Sequence, residues 1–325
     1  MLRHSSATGL ALVTLPPWMK VAIIGGGAIG GVWASQLARA GNDVTVVDVS
    51  SAVLGRVSGP CLLVETPEGP QPALPLRATC RPEEAGQMDA VWFFIKAQHT
   101  ASAAQLARPL VAAGTAVVTQ QNGWGNADVL SEVYPAPQLV VGVTYHSATV
   151  VGPGHVKHTG RGQSYIGPYV DGGDLAGAER VGRMMNEAGL ETTVTAEVKT
   201  EIWKKLILNC ATLPTSALTR LAAGDVGQPG ALLELVDAIA AEAVQVAQAL
   251  GYDVDMDERR ERIHAILANG GRGKASMLQD VEGSRKTEIE VVNDAVVRAA
   301  ARLGIVTPLN RAMVALVGGL ERSYL

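Results

Sequence analysis

The sequence predicts an α/β fold, with an N-terminal Rossmann-type doubly wound parallel sheet and a C-terminal all-α domain. Three observations predict it. From Lys20 onward, short apolar runs alternate with helix-like segments, the pattern of parallel β-α-β units. The first apolar run leads directly into Gly25-x-Gly27-x-x-Gly30. From about residue 175 the alternation gives way to long helical runs.

In order, "VAIIGG" is a strand and "GGVWASQLARAG" a helix closed by Gly41. "DVTVVDVS" is the second strand and "DAVWFFIKA" a further buried one. A helix over 100–110, a strand "AVVTQQNG", a helix near 126–133 and a strand "LVVGVTYHSA" follow. The helical runs then cover 175–189, 196–212, 230–250, 257–270, 276–302 and 308–322. The boundary lies near 190–197. We assign 19–193 to the dinucleotide-binding domain and 194–325 to a helical domain for substrate binding and dimerisation. Residues 1–18 carry one Arg, a short apolar patch and no convincing cleavage site. They read as a loosely ordered extension, or as the product of an upstream start codon.

Composition narrows the function. The chain has 325 residues, enough for two cores, and a net charge of −4 with no basic stripe, which argues against nucleic acid. No uncharged apolar run reaches membrane-spanning length, so no membrane partner is expected. The three cysteines are odd in number and lack metal-ligand spacing, which suits a reduced, cytoplasmic setting. His155 and His158 form an H-x-x-H pair without an apparent third ligand, so no metal is assigned.

The glycine motif follows a strand and opens a helix, the context that gives it meaning. Gly25 permits the tight turn, Gly27 admits a pyrophosphate to the backbone, and Gly30 lets helix and strand pack closely. The candidate cofactor-binding turn is therefore Gly25, Gly26, Gly27, Ala28, Ile29 and Gly30. Asp48 ends the second strand, where a carboxylate accepts from a ribose diol and repels a 2′-phosphate. No Arg follows until Arg56. This favours NAD(H) over NADP(H).

"EIWKKLILNCATLP" reads as a helix running into Pro214. On a wheel centred on Ile202, Lys204 falls about 200° away, opposite the apolar face, as a solvated charge. Lys205 falls at about −60°, on the shoulder of that face, and Asn209 at about −20°, in its middle. A buried amide is costly unless paired. Either Asn209 bonds nearby backbone beside a snorkelling Lys205, or the face opens onto a polar cleft. The helix alone favours the first reading. A neighbouring dinucleotide fold favours the second, with a lysine placed to protonate a carbonyl.

The segments "GGGAIG", "FIKAQHT", "QQNGWGN", "GVTYHSATVVGPGHVKHTG", "EIWKKLILNC" and "SMLQDVEGSRKTEIEVVN" resemble the ketopantoate reductases, from Lys20 to the C-terminus. The resemblance implies roles at matching positions. Lys205 matches the catalytic proton donor, and Glu288 a glutamate orienting substrate and nicotinamide ribose. Asn209 and Ser276 match substrate-binding residues. Asn122 lies where the family places an asparagine near both ribose and substrate. Lys96 matches a lysine near the adenosine side, Ala148 falls in a loop lining the nicotinamide, and Glu242 matches an acidic residue supporting the site.

Three positions depart from the family pattern. Leu213, Ala223 and Gly273 stand where substrate-site asparagines are common. Leu213 is thus a candidate substrate contact of apolar character. Three readings follow. The first is reduction of a 2-keto acid, ketopantoate by default. The second is NAD-dependent chemistry on another branched or bulky 2-keto acid, of the D-mandelate dehydrogenase type. The third is a non-catalytic NAD-binding regulator. The expected partners are a small-molecule 2-keto acid and, from the apolar 230–250 helix, a second copy in a homodimer.

Overall fold

The structure, a computed structural model, describes residues 19–325. The reading of residues 1–18 lies outside the described residues. The strands are β1 (Lys20–Ile24), β2 (Asp43–Val47), β3 (Leu63–Thr66), β4 (Gly69–Pro70), β5 (Arg77–Thr79), β6 (Met88–Phe93), β7 (Val111–Thr119), β8 (Leu139–Thr144), β9 (Ser147–Gly152), β10 (His155–Gly160), β11 (Ser164–Pro168) and β12 (Thr192–Val194). The helices are α1 (Ala28–Arg39), α2 (Ser51–Arg56), α3 (Thr100–Ala107), α4 (Asn126–Ser131), α5 (Ala176–Glu187), α6 (Val198–Thr219), α7 (Ala223–Val226), α8 (Ala231–Ala249), α9 (Met256–Gly270), α10 (Ser276–Glu282), α11 (Asn293–Leu303) and α12 (Pro308–Glu321).

The main sheet has eight strands in the order β12-β11-β8-β7-β6-β1-β2-β5. Its pairs are parallel except β8 with β11. The run Val21–Ile24 is fully apolar because helices cover both faces of the sheet. One face packs Val21, Ile23, Trp92 and Val140 against α1 and α5, and the other packs Ala22, Phe93 and Leu139 against α3 and α4. The strand order reverses between β1 and β6. In open α/β sheets, ligands bind at such a switch point, outside the carboxyl ends of the strands.

A second sheet, ordered β4-β3-β10-β9, lies against α1. The sequence reading did not anticipate it, or the edge strands β5 and β12 and the strand β11 next to β12. A Cβ on Gly31 would lie 3.1 Å from Val156, which shows how closely α1 approaches this sheet. The expected division at 193/194 cuts β12 one residue before its end.

The helical half is built around α6 and the Ala-rich α8, whose small side chains allow close packing about Trp203, Ile207 and Ile239. Two expected helices differ. The helix holding "EIWKKLILNCATLP" does not stop at Pro214 but continues to Thr219. Proline lacks the N–H that would bond the carbonyl four residues earlier. That carbonyl, on Cys210, instead accepts from Asn293 Nδ2 at 3.0 Å. The run 276–302 is two helices, α10 and α11, separated by a segment that contains Glu288.

Candidate active site

The glycine turn is built as its sequence implies. Gly25 adopts φ +100, and a Cβ there would meet Phe94 O at 2.9 Å. A Cβ on Gly30 would lie 1.9 Å from Gly25 O, so only glycine lets α1 start this close to β1. Gly27 caps α1, and a Cβ there would meet nothing within 4 Å. The first turn of α1 therefore opens onto free space, and among the described residues the amides of Ala28 and Ile29 have no partner. This cradle fits a dinucleotide pyrophosphate. Asp48 stands beside it, and its oxygens accept from Gly26 N at 2.7 Å and Ser50 N at 2.8 Å.

Lys205 sits where α6 crosses the end of β8. Its Nζ donates to Thr144 O at 2.5 Å and lies 5.7 Å from the centre of the Tyr145 ring. Burial pushes its pKa down to about 8, against the upward pull of Glu288. Asn209, one turn on, is 6% exposed. Among the described residues its carboxamide has no hydrogen-bond partner, so its bonding capacity is available to a ligand. Lys204 is not a free solvated charge. Its Nζ is 2.8 Å from Glu201 Oε1, and its side chain is 23% exposed.

Other expected residues converge on the same junction. Glu288 Oε1 accepts from Ala97 N at 3.3 Å. Lys96 Nζ lies 2.6 Å from Asp280 and 3.5 Å from Glu288, so this lysine ties the end of β6 to the helical half. Burial opposes its charge, yet Glu288 and Asp280 together hold its pKa above the usual lysine range. Ser276 opens α10, which packs on α6. Asn122 lies in the loop after β7, and its carbonyl accepts from Asn126 Nδ2 at 2.9 Å. The same loop is tied to the helical half through Trp124 N, which donates to Val291 O at 2.8 Å.

One expected residue is placed differently from its sequence reading. Ala148 belongs to strand β9 rather than to a loop, paired with His158. Glu242 caps α12, accepting from Leu309 N and Asn310 N at 2.9 Å each. Its link to the site is indirect, because Asn310 Oδ1 accepts from Asn293, which holds the Cys210 carbonyl of α6. Leu213 packs with Met277 and Val281 of α10. His155 bonds Glu65 at 2.9 Å, while His158 bonds and stacks on His146.

Sequence reasoning missed Thr144, Tyr145 and Asp280. Thr144 acts through its backbone, which no side-chain pattern reveals. Asp280 lies one helical turn beyond Ser276, and that spacing was the available signal.

Two family models match this chain. "Ketopantoate reductase PanE/ApbA" covers residues 21–171, and "Ketopantoate reductase PanE/ApbA C terminal" covers 197–321. A 2-dehydropantoate 2-reductase of Halobacterium salinarum is 34% identical over 94% of this chain and 99% of its own. Its namesake from Archaeoglobus fulgidus is 30% identical over 93% of this chain and 98% of its own. A crystal structure of a PanE/ApbA family ketopantoate reductase from Ralstonia eutropha aligns with a TM-score of 0.84 at 31% identity, covering 94% of this chain and 99% of that one. A ternary structure of D-mandelate dehydrogenase with NADH and anilino(oxo)acetate reaches a TM-score of 0.89 at 24% identity over 94% and 99% of the two chains, a likeness of fold.

Proposed function

This chain belongs to the ketopantoate reductase family of oxidoreductases, and on that premise we propose that it reduces a 2-keto acid to a D-2-hydroxy acid. Ketopantoate is the substrate that the names of its relatives suggest. The observation that carries this reading is Lys205, a desolvated ammonium at the domain junction, bonded to a single carbonyl and facing the field of Glu288.

A bound nicotinamide dinucleotide supplies the hydride, and the glycine cradle and Asp48 are the residues to hold it. Lys205 gives its proton to the keto oxygen as negative charge develops there. A pKa near 8 leaves it protonated at neutral pH yet acidic enough to transfer. The Thr144 carbonyl takes one of its N–H donors and aims the others. The unpaired amide of Asn209 and the hydroxyl of Ser276 bind the substrate, and Glu288 accepts from a hydroxyl. Asp48 keeps acceptor capacity beyond the two amides it holds and repels a 2′-phosphate, which supports NAD(H) over NADP(H).

A second reading, an apolar or bulky 2-keto acid other than ketopantoate, is favoured by Leu213, Ala223 and Gly273. Ala223 N donates to Gly273 O at 2.9 Å, so two of these positions face one another without a side-chain donor. Positions without a side-chain donor discriminate poorly for a substrate hydroxyl. Initial rates on a panel of 2-keto acids, each with NADH and NADPH, test both readings. Highest kcat/KM on ketopantoate supports the first, and on a branched or aromatic keto acid the second. A silent panel would overturn both and leave a non-catalytic NAD-binding regulator.

A further inference from the structure

Glu321 is a carboxylate in an unfavourable place. It ends α12, where a negative charge opposes the helix dipole, and it is 8% exposed. Among the described residues it has no ion-pair partner. Its Oε1 serves a single residue, accepting from Thr287 N at 2.7 Å and from Thr287 Oγ1 at 2.6 Å. Thr287 is 1% exposed and immediately precedes Glu288. Its hydroxyl oxygen also accepts from Ile289 N at 3.3 Å, so the threonine straddles Glu288. The same end of α12 makes a second tie, from Tyr324 Oη to Arg285 O at 3.2 Å. Residues 285–287 belong to no helix or strand, so these ties do what a regular element would do elsewhere.

We propose that Glu321 is a positioning residue, which holds Thr287 and thereby fixes where Glu288 reaches across the domain junction. The proposal rests on the reading of Glu288 as a residue of the reaction. Glu288 extends from the helical half to the end of β6, where Ala97 N and Lys96 Nζ meet its two oxygens at 3.3 and 3.5 Å. Both contacts are long for hydrogen bonds to a carboxylate and hold the side chain loosely. Its backbone is held tightly from behind, by the short bonds between Thr287 and Glu321. Without Glu321, the Thr287 amide and hydroxyl are left buried with no acceptor, and the segment must shift to find one. Both bonds end on the same oxygen, so a carboxamide could accept them as well. The position requires an acceptor rather than a charge.

The test is a double-mutant cycle on kcat/KM, read beside amide hydrogen exchange of the segment 284–292 by mass spectrometry. Glu321→Ala should lower kcat/KM by about 10–100-fold for the 2-keto acid that reacts best. In a Glu288→Ala background the same substitution should change it by less than about twofold, because the residue it positions is gone. Glu321→Gln keeps the acceptor and should stay within about threefold of the wild type. Exchange over 284–292 should quicken in Glu321→Ala while α8 keeps its protection. An unaltered kcat/KM in Glu321→Ala, or full additivity with Glu288→Ala, overturns the proposal. So does unchanged exchange over 284–292, a loss of protection that α8 shares, or a Glu321→Gln as impaired as Glu321→Ala. If Glu288→Ala turns over as the wild type does, the reading of Glu288 falls. The exchange arm then decides alone, with quickened exchange upholding the hold of Glu321 on this segment and unchanged exchange overturning it.

Discussion

The two sides of the domain junction are made by opposite means. The Rossmann side presents backbone, with glycines at Gly25, Gly27 and Gly30 and the unpaired amides of α1. The helical side presents side chains, with Lys205, Asn209, Ser276 and Glu288 delivered from three separate segments. The first is local in sequence and tolerates little bulk. The second tolerates bulk but depends on charge and on partners far away in the chain. A backbone site fails by steric strain, whereas a side-chain site fails by lost chemistry.

Five experiments break or sharpen this contrast. The largest effect is expected on the side-chain half. Lys205→Ala should lower kcat by about 10²–10⁴-fold with NADH affinity unchanged in a fluorescence titration. In the unmodified protein the proton donor is present below its pKa and lost above it. The rate of keto-acid reduction should hold at neutral pH and fall as pH rises through about 8. Near-normal turnover of Lys205→Ala would sink the donor role.

On the backbone half, Gly30→Ala places a methyl 1.9 Å from the Gly25 carbonyl. The Kd for NADH should rise by about tenfold or more, with kcat at saturation nearly kept. A Kd unchanged by this methyl would show that the turn is not the cofactor cradle. Asn293→Ala leaves the Cys210 carbonyl buried without a donor and should cost about 1–3 kcal/mol in denaturant unfolding. In a Pro214→Ala background the loss should be smaller, because residue 214 again offers an N–H. Equal losses in both backgrounds would contradict this account. The smallest effect is expected at Asp48. Asp48→Asn keeps one acceptor for the loop amides but loses the charge, and should narrow the NADH/NADPH preference by a few-fold, about 1 kcal/mol. An unchanged ratio would remove Asp48 from cofactor choice.

Much of the Rossmann half was legible because its signals are local. Apolar runs buried on both faces, punctuated by glycine, mark β1, β2, β6, β7 and β8. The second sheet was not legible. Strands such as β9, exposed at Ser147, Val150 and Val151, have no alternation that separates them from loops. The same holds for the site. The helix wheel put Lys205 and Asn209 on one side of α6, but it left Lys204 in solvent because it knew nothing of Glu201 as a partner. The Lys96–Asp280 bridge joins residues 184 positions apart, beyond any periodicity. Pro214 looked like a helix end because its local rule is to break helices. The rule is evaded here by Asn293, a residue 83 positions from the carbonyl it satisfies.

That evasion carries a consequence for how this sequence can drift. Asn293 is fully buried, and among the described residues its own Oδ1 has no partner. The side chain is kept in place by what its nitrogen supplies to Cys210 and Asn310. If the proline is lost first, the helix repairs its own ladder and the asparagine becomes partly dispensable. If the asparagine is lost first, an orphaned carbonyl remains one residue from Asn209. The two positions are therefore coupled in stability, with substitution at residue 214 first the permissive order and at residue 293 first the penalised one.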